Sequence, residues 1–464
     1  MELALRGKLQ RDTLVALQRF GFDSLSFTAV ESSMLHWVDV ETDAHVAYVD
    51  TGSAWVAVGS PLTSRANWRR AARNFIRAAK AESRRACFFG AEVLESRDLS
   101  SLLIGEQPVI RPTEWLDAQS RALREQLRRA KAKGVRVRHV DQVELCEGSA
   151  LRGKIERCAA EWLDARHMEP MGFVVALELF HHPSEHRYFV AEVDGVVVEF
   201  LSAVPIYGRD GWLVKDVIRT RDAPNGTSEL LLDALVRDVV WSHMVTLGLS
   251  PLTSRVVWPL RLARAAMRPL FDFEGLHAFR KRLHPTAWEP VYLTFPRDES
   301  RWLHLLEALR AFASGSLLRF GVHSLVRHPS GPPWLLASPL LPWCLLLGVL
   351  VLGGHASLLG LSSLQLAAWV VFDSLLAIAL YRVALRPRLS SLGLVASAAA
   401  VDAAVSIHHG LTVGLGAGAE SLLRAAAIAA PCCGTLVLAW ACIRSVIQLA
   451  STRRPPLGLG SPLH

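Results

Sequence analysis

The spacing of hydrophobic positions changes along this chain, and each stretch predicts its own kind of element. Residues 9–20 read as a helix. Ser24 to Glu31 and Ala44 to Leu62 carry strand signals, with Asp50-Thr51-Gly52-Ser53 as a hairpin turn between two apolar runs. Asn67 to Arg85 has the period of an amphipathic helix whose polar positions include Arg69, Arg70, Arg73, Arg77 and Lys80. Ala86 to Val93 reads as a buried strand. Alternating helices and strands make this an α/β half.

Asp117 to Gly134 predicts a basic helix that stops at a glycine. Arg121, Arg124, Arg128 and Lys131 recur at steps of three or four, so they share one face, which suits phosphate contacts. A solvated linker helix fits the same pattern, and no aromatics are interleaved for base stacking. Past Val140 the order is a helix (Arg152 to Arg166), then strands Tyr188 to Glu192 and Val196 to Val204 joined at Asp194-Gly195. A strand from Gly211, a turn at Pro224-Asn225-Gly226 and a helix through Leu235 follow. Val245 to Leu249 predicts a further strand, Arg261 to Met267 a helix, and Trp288 to Phe295 a closing strand. This order is that of an acetyltransferase-like (GNAT) half. Its loop before the main helix, Arg221 to Gly226, lacks the glycine spacing that grips the pyrophosphate of coenzyme A, which argues against an acyl-CoA donor. Asp216 and Arg219 stand three apart near the strand end. They border one cleft only if the strand bends or splays there.

The last third is apolar. Trp334 to Gly354, Leu361 to Tyr381, Leu389 to Ile407 and Ala425 to Ile443 each predict a membrane span. Arg327 precedes the first, Arg382, Arg386 and Arg388 follow the second, and Arg444, Arg453 and Arg454 follow the fourth. That bias places both ends and the middle loop in the cytoplasm of an inner-membrane, multi-pass protein. Asp373 and Asp402 sit within the second and third spans, where carboxylates are costly.

The division expected from these patterns is a first α/β half at 1–139, a second at 140–300, a linker at 301–333 and a four-helix transmembrane region at 334–464. The formal net charge of +8 points to an anionic partner, nucleic acid or acidic lipid. Seven cysteines without a CxxC spacing exclude a zinc site and a disulfide framework, and suit a reducing compartment. No metal or cofactor is expected.

Several short motifs carry a resemblance. Phe279-Arg280-Lys281-Arg282 is followed by Trp288-Glu289-Pro290-Val291-Tyr292-Leu293, and Asp216 and Arg219 form a D-x-x-R pair ahead of Pro224-Asn225-Gly226. Thr246 to Leu252 is similar to an L-G-x-x-P-L segment. Phe22 to Leu25 and Gly59 to Leu62 fit the first half of the same pattern. With these, residues from about 10 to 297 resemble the C-terminal catalytic domain of phosphatidylglycerol lysyltransferases, the multiple peptide resistance factors. Arginines 280 and 282 stand where that family has lysines, Thr286-Ala287 adds a residue, and the apolar helices follow the catalytic part.

The resemblance implies tandem acetyltransferase-like folds followed by an all-α transmembrane bundle. It implies an aminoacyltransferase that moves an amino acid, lysine or alanine, from aminoacyl-tRNA to the hydroxyl of phosphatidylglycerol. In that reading Asp216 holds the ammonium, and Arg219 orients Asp216 or contacts phosphate. Glu169 and Glu289 are further substrate ligands, and Arg255, Arg280 and Arg282 bind tRNA or headgroup phosphate. Arg121, Arg124, Arg128 and Lys131 belong to the tRNA. A different acceptor, or a membrane-tethered module that only binds lipid or tRNA, remains compatible with the same residues.

Overall fold

The structure is a computed structural model. It describes residues 2–92, 96–164, 172–252, 273–317, 331–354, 361–385, 389–413 and 432–443, with a few single positions between them. These fall into two units, one built from residues before Gly321 and the other from Gly321 onward.

The first unit is organised on a twelve-stranded sheet. In chain order its elements are α1 (Glu2–Phe20), β1 (Leu35–Asp39), β2 (Ala44–Asp50), β3 (Ala54–Val58), α2 (Trp68–Ala81), β4 (Arg85–Ala91), β5 (Leu99–Ile110), α3 (Trp115–Ala118) and α4 (Arg121–Ala132). There follow β6 (Arg136–Val140), α5 (Ala150–Asp164), β7 (Arg187–Val193), β8 (Val196–Ile206), β9 (Gly211–Arg219), α6 (Thr227–Asp238), β10 (Met244–Thr246), β11 (Ser250–Pro251), α7 (Phe273–Arg282), β12 (Ala287–Pro296) and α8 (Arg301–Phe312). The strand order is β1-β2-β3-β4-β12-β5-β10-β9-β8-β7-β6, with β11 on β5.

One motif occurs twice: three antiparallel strands, a helix, then a strand parallel to the third. It runs β1-β2-β3-α2-β4 and again β7-β8-β9-α6-β10. The repeat is the α/β, acetyltransferase-like architecture. β12 lies between β4 and β5, so sequence from the second half completes the sheet of the first.

Local chemistry explains the helices. In α2 the residues Trp68, Ala71, Ala72, Phe75, Ile76 and Ala79 are buried, a spacing that turns one stripe onto Val46, Ala57 and Phe88 and leaves the arginines outward. In α4 the hydroxyl of Ser120 accepts from the Leu123 amide at 3.2 Å, capping the helix. Leu123, Leu127 and Ala130 bury against Leu231 and Leu235 of α6, so this basic helix is part of the second half's core layer.

Three stretches differ from the sequence expectation. Residues 26–30 form a buried 3-10 turn rather than a strand, because Phe27, Ala29 and Val30 are covered on every side instead of alternately. The strand after α6 is short, only Met244–Thr246. β5 lies at the centre of the sheet although Gly105 and Pro108 disfavour a strand there. Gly105 is required: a Cβ on it would lie 2.2 Å from the Ser250 carbonyl oxygen of β11. The helix expected at residues 261–267 falls largely outside the described residues.

Residues 301–312, in the stretch expected to be linker, fold as α8 on the first unit. Ala308 and Ala311 enter its core, and buried Glu307 accepts from Thr51 Oγ1 at 2.7 Å, Ser53 Oγ at 2.8 Å and Arg85 at 3.1 Å.

The second unit contains α9 (Gly331–Leu352), α10 (Ser363–Leu385) and α11 (Leu389–Val413). Leu376, Leu380 and Val383 of α10 interlock with Leu392, Val395 and Ala399 of α11. Among the described residues two stretches, Ser363–Val383 and Ser390–Thr412, have the length and apolarity of a membrane span. Trp343–Leu352 and Cys432–Ile443 are shorter apolar helices. Only 28% of each long window is buried, so among the described residues most of that apolar surface lacks protein cover.

We expect a chain ending after Gly315 to be soluble and to melt cooperatively. One ending at Pro296 loses α8, exposes the hydroxyls and Arg85 around Glu307, and should aggregate or melt well below it. Equal melting temperatures would show that α8 adds nothing to the first unit.

Candidate active site

The site is made by an irregularity in β9. Ser202 of β8 pairs with Asp216, but the next residue, Ala203, pairs with Val214, so Lys215 is an extra residue in the strand. The bulge resets the alternation. Trp212, Val214 and Val217 pack toward α4 and α6, and Arg219 shares their side. Ile218 packs on the opposite face against α5. Asp216 shares that opposite side, where its carboxylate accepts from Ser202 Oγ at 2.6 Å.

β9 pairs with β10 only from Gly211 to Leu213. Beyond that point the two strands part, and a cavity of about 950 Å³ opens between β9, α4, α7 and the start of α6. Its lining holds six cations, Arg129, Lys133, Lys215, Arg219, Arg280 and Arg282, against the carboxylates of Glu125 and Glu229. The excess of positive charge suits an anionic ligand.

The three arginines expected in the site do different things there. Arg219 is half-buried and donates to the Ala223 carbonyl at 2.6 Å, with Asn225 Oδ1 at 3.4 Å. Its Nε lies 3.9 Å from Glu199, which is fully buried and accepts from Ser228 Oγ at 2.5 Å. Burial pushes the Glu199 carboxyl up to about 7, against the pull of Ser228 and Arg219. Arg280 donates to the carbonyls of Leu247 at 2.5 Å and Gly248 at 2.9 Å and to Ser250 Oγ at 2.7 Å, tying α7 to the β10–β11 loop. Burial holds its pKa down at about 10. Arg282 is exposed at the rim.

A second, anionic compartment lies on the other face of β9. Lys215 Nζ meets Glu31 Oε1 at 2.8 Å, with side-chain exposures of 9% and 1%, so the pair is out of solvent. Burial raises Glu31 to about 7; Lys215 opposes this, while Glu178 and Asp216 add to it. Asp216 is also raised, first by burial, with Lys215 and Ser202 pulling the other way. Lys215 is shared between the two sides: it lines the cationic cavity and pairs with Glu31 of the buried anionic cluster.

Other sequence-derived residues lie elsewhere. Asp216 and Arg219 do not face one another. Glu289, on β12, is held by Arg209 at 2.7 and 2.8 Å, and Arg209 also binds Glu92 at 2.7 Å. Arg121, Arg124, Arg128 and Lys131 are exposed and do not line the cavity; Arg129 and Lys133 of the same helix do. Glu169 and Arg255 lie outside the described residues. Sequence reasoning missed Glu31, Glu199, Ser202 and Lys215. The one signal for them was Lys215-Asp216, two adjacent charges inside an apolar strand. Among the described residues no group of three or more His, Cys, Asp or Glu side chains could hold a metal ion.

A repeated acetyltransferase-like motif, with strands that part at a charged cleft, defines an acetyltransferase-like α/β domain. Within that class, residues 15–295 match the family described as phosphatidylglycerol lysyltransferase, C-terminal, and the chain belongs to that family. Two solved structures share the fold. A C-terminal DUF2156 domain from Agrobacterium fabrum is 19% identical, with a TM-score of 0.57 over 67% of this chain and 99% of that one. L-PGS from Bacillus licheniformis is 17% identical, with a TM-score of 0.56 over 65% of this chain and 96% of that one. No curated protein matches the chain.

The raised Glu199 carboxyl has a stability consequence. Its folded pKa, about 7, exceeds the ordinary value of 4.5, so between those values the folded state keeps a proton that the unfolded state releases. This contribution is full below pH 4.5 and is lost as pH rises through 7. Glu199→Gln cannot titrate. Its melting temperature should gain on the wild type across that window, by an amount equivalent to up to about 3 kcal/mol. A difference that is flat with pH would show that Glu199 does not titrate in it.

Proposed function

We propose that this protein transfers an amino acid, lysine or alanine, from aminoacyl-tRNA to the hydroxyl of phosphatidylglycerol. The observation that carries this reading is membership of the lysyltransferase family over residues 15–295. The adjoining compartments support it, since the donor presents phosphates and an ammonium, which need opposite charges close together.

In this reading Asp216, assisted by the negative field of Glu31 and Glu178, holds the ammonium of the aminoacyl group. The lipid hydroxyl attacks the carbonyl carbon of the aminoacyl ester. A new ester bond forms to the lipid, the bond to the ribose oxygen of the tRNA breaks, and the hydroxyl proton ends on that ribose oxygen. Arg219 stabilises developing negative charge on the carbonyl oxygen or a nearby phosphate. It does not orient Asp216, which points the other way. Arg280 serves as an anchor for α7, because three acceptors already occupy its guanidinium. The exposed Arg121, Arg124, Arg128 and Lys131 attract the tRNA backbone at longer range.

The C-terminal helices hold the enzyme at the cytoplasmic face of the membrane as a multi-pass, four-span anchor, which brings the lipid acceptor to the site. The product is a less anionic headgroup, which weakens attraction of cationic peptides.

Asp216→Asn keeps an acceptor for Ser202 and removes the charge. We expect lipid mass spectrometry of cells carrying this variant to show no aminoacyl-phosphatidylglycerol, with the wild-type melting temperature retained by the purified protein. Wild-type lipid levels would remove Asp216 from the mechanism. Binding of tRNA and lipid without turnover by the wild type would mark a membrane-tethered binding module instead.

A further inference from the structure

Among the described residues, the carboxylates that line the cavity or gather round Lys215 are already engaged, with one exception. In the cavity, Glu125 is held by Arg128 and Arg129, and buried Glu229 accepts from Gln126 Nε2 at 2.7 Å. Behind β9, Glu31 is paired with Lys215 at 2.8 Å. Glu178 accepts from Ser32 through both oxygens, from the hydroxyl at 2.6 Å and the amide at 3.1 Å. Asp216 is the exception: its one hydrogen bond among the described residues comes from a neutral donor, Ser202 Oγ. The site therefore offers one carboxylate to one ammonium. Every aminoacyl group brings that one, its α-ammonium.

A lysyl group brings a second ammonium, and the protein's own lysine stands where its partner would be. Lys215 holds Glu31 with both side chains almost fully out of solvent. A substrate ammonium that took Glu31 would leave Lys215 charged and unpaired in the sheet, which is costly. On the cavity side the second ammonium would meet Lys215 itself, since Lys215 is part of the lining, with Arg219 further along the same strand. A like charge set against one ligand is a means of rejecting it in favour of another. An uncharged side chain meets no such penalty, and Val214, Val217, Leu247 and Phe279 present it with apolar surface in the same lining.

We propose that Lys215 is a specificity-determining residue that restricts the transferred aminoacyl group to those with an uncharged side chain, alanine rather than lysine. The assignment rests on the aminoacyl-tRNA reading above and narrows its substrate. Lys215 acts through its charge, held in place by Glu31 and by the bulge that inserts it in β9.

The test uses the full-length protein in detergent, phosphatidylglycerol in mixed micelles, and one tRNA body charged in turn with alanine, lysine or Nε-acetyl-lysine. The common tRNA leaves only the aminoacyl group to vary, and acetylation removes the second charge while keeping the length of the side chain. Wild-type kcat/KM should be higher for alanine than for lysine by roughly a hundredfold, the scale of one like-charge contact. Nε-acetyl-lysine should be used better than lysine by about tenfold or more. Lys215→Met with Glu31→Gln removes both charges of the pair together, and the ratio of lysine to alanine transfer should rise by at least about tenfold. Lysine used as well as alanine by the wild type overturns the proposal and leaves the transfer reading standing. Alanine preferred with no gain on acetylation overturns it too, since size would then be the selector. An unchanged ratio in a folded double variant removes Lys215 from the selection; if that variant does not fold, the wild-type comparison of lysine with its acetylated form decides. A wild type that transfers none of the three overturns the underlying reading as well.

Discussion

The ion pair between Lys215 and Glu31 is the constraint on which the site depends. Lys215 is the extra residue of the β9 bulge, and a lysine inserted into the middle of a sheet has to be neutralised or expelled. Glu31, from the end of the 3-10 turn in the first half, reaches it at 2.8 Å with both groups almost fully buried. That contact fixes the bulge, and the bulge decides the rest. It puts Val217 and Arg219 on the side of α4 and α6, and Asp216 on the side of Ser202 and α5. The partner comes from the other repeat, so the two halves are tied into one folded unit. Removing either partner alone would leave a buried charge unpaired, a change costing several kcal/mol in order of magnitude.

Opposite charges on the two faces of one strand suit the two ends of the donor in the proposed transfer. Phosphate-bearing and ammonium-bearing parts of one donor have to be held within a few ångströms, yet cations and carboxylates placed side by side pair with each other. β9 separates them: Arg219 and the rim cations face one way, Asp216 and Glu31 the other, with Lys215 reaching from the cavity lining to Glu31. The same logic explains why the start of α6 carries carboxylates. Glu229 accepts there from Gln126 Nε2 and Glu199 from Ser228 Oγ, so the carboxyl groups sit at the positive end of the helix dipole.

Much of this was legible in the sequence, for reasons that differ by element. The α2 and α6 helices and the β7–β8–β9 meander follow from periodicity and from turns at Asp194-Gly195 and Pro224-Asn225-Gly226. The short motifs around Asp216 and Trp288 were enough to mark the family. β5 was not legible, because Gly105 and Pro108 contradict a strand locally, and the reason for Gly105 is the close approach of β11 from a distant part of the chain. The basic helix was legible as a helix, but the edge that lines the cavity was not. Arg129 and Lys133 are one step around from Arg121, Arg124 and Arg128, and only the packing of Leu123 and Leu127 on α6 decides which edge meets the cavity. Glu31 and Glu199 carry no pattern at all. They are single carboxylates whose partners lie at distant positions in the chain, which no local period reveals.

The most direct test of the account is transfer itself. Purified full-length protein would be mixed with aminoacyl-tRNA labelled in the amino acid and with phosphatidylglycerol in mixed micelles, and label in the organic phase would be followed with time. Label should appear in a phosphatidylglycerol derivative, dependent on both substrates and abolished by ribonuclease treatment of the donor. Label that stays with the RNA, or lipid that is modified equally well from an acyl-CoA without any tRNA, would contradict it.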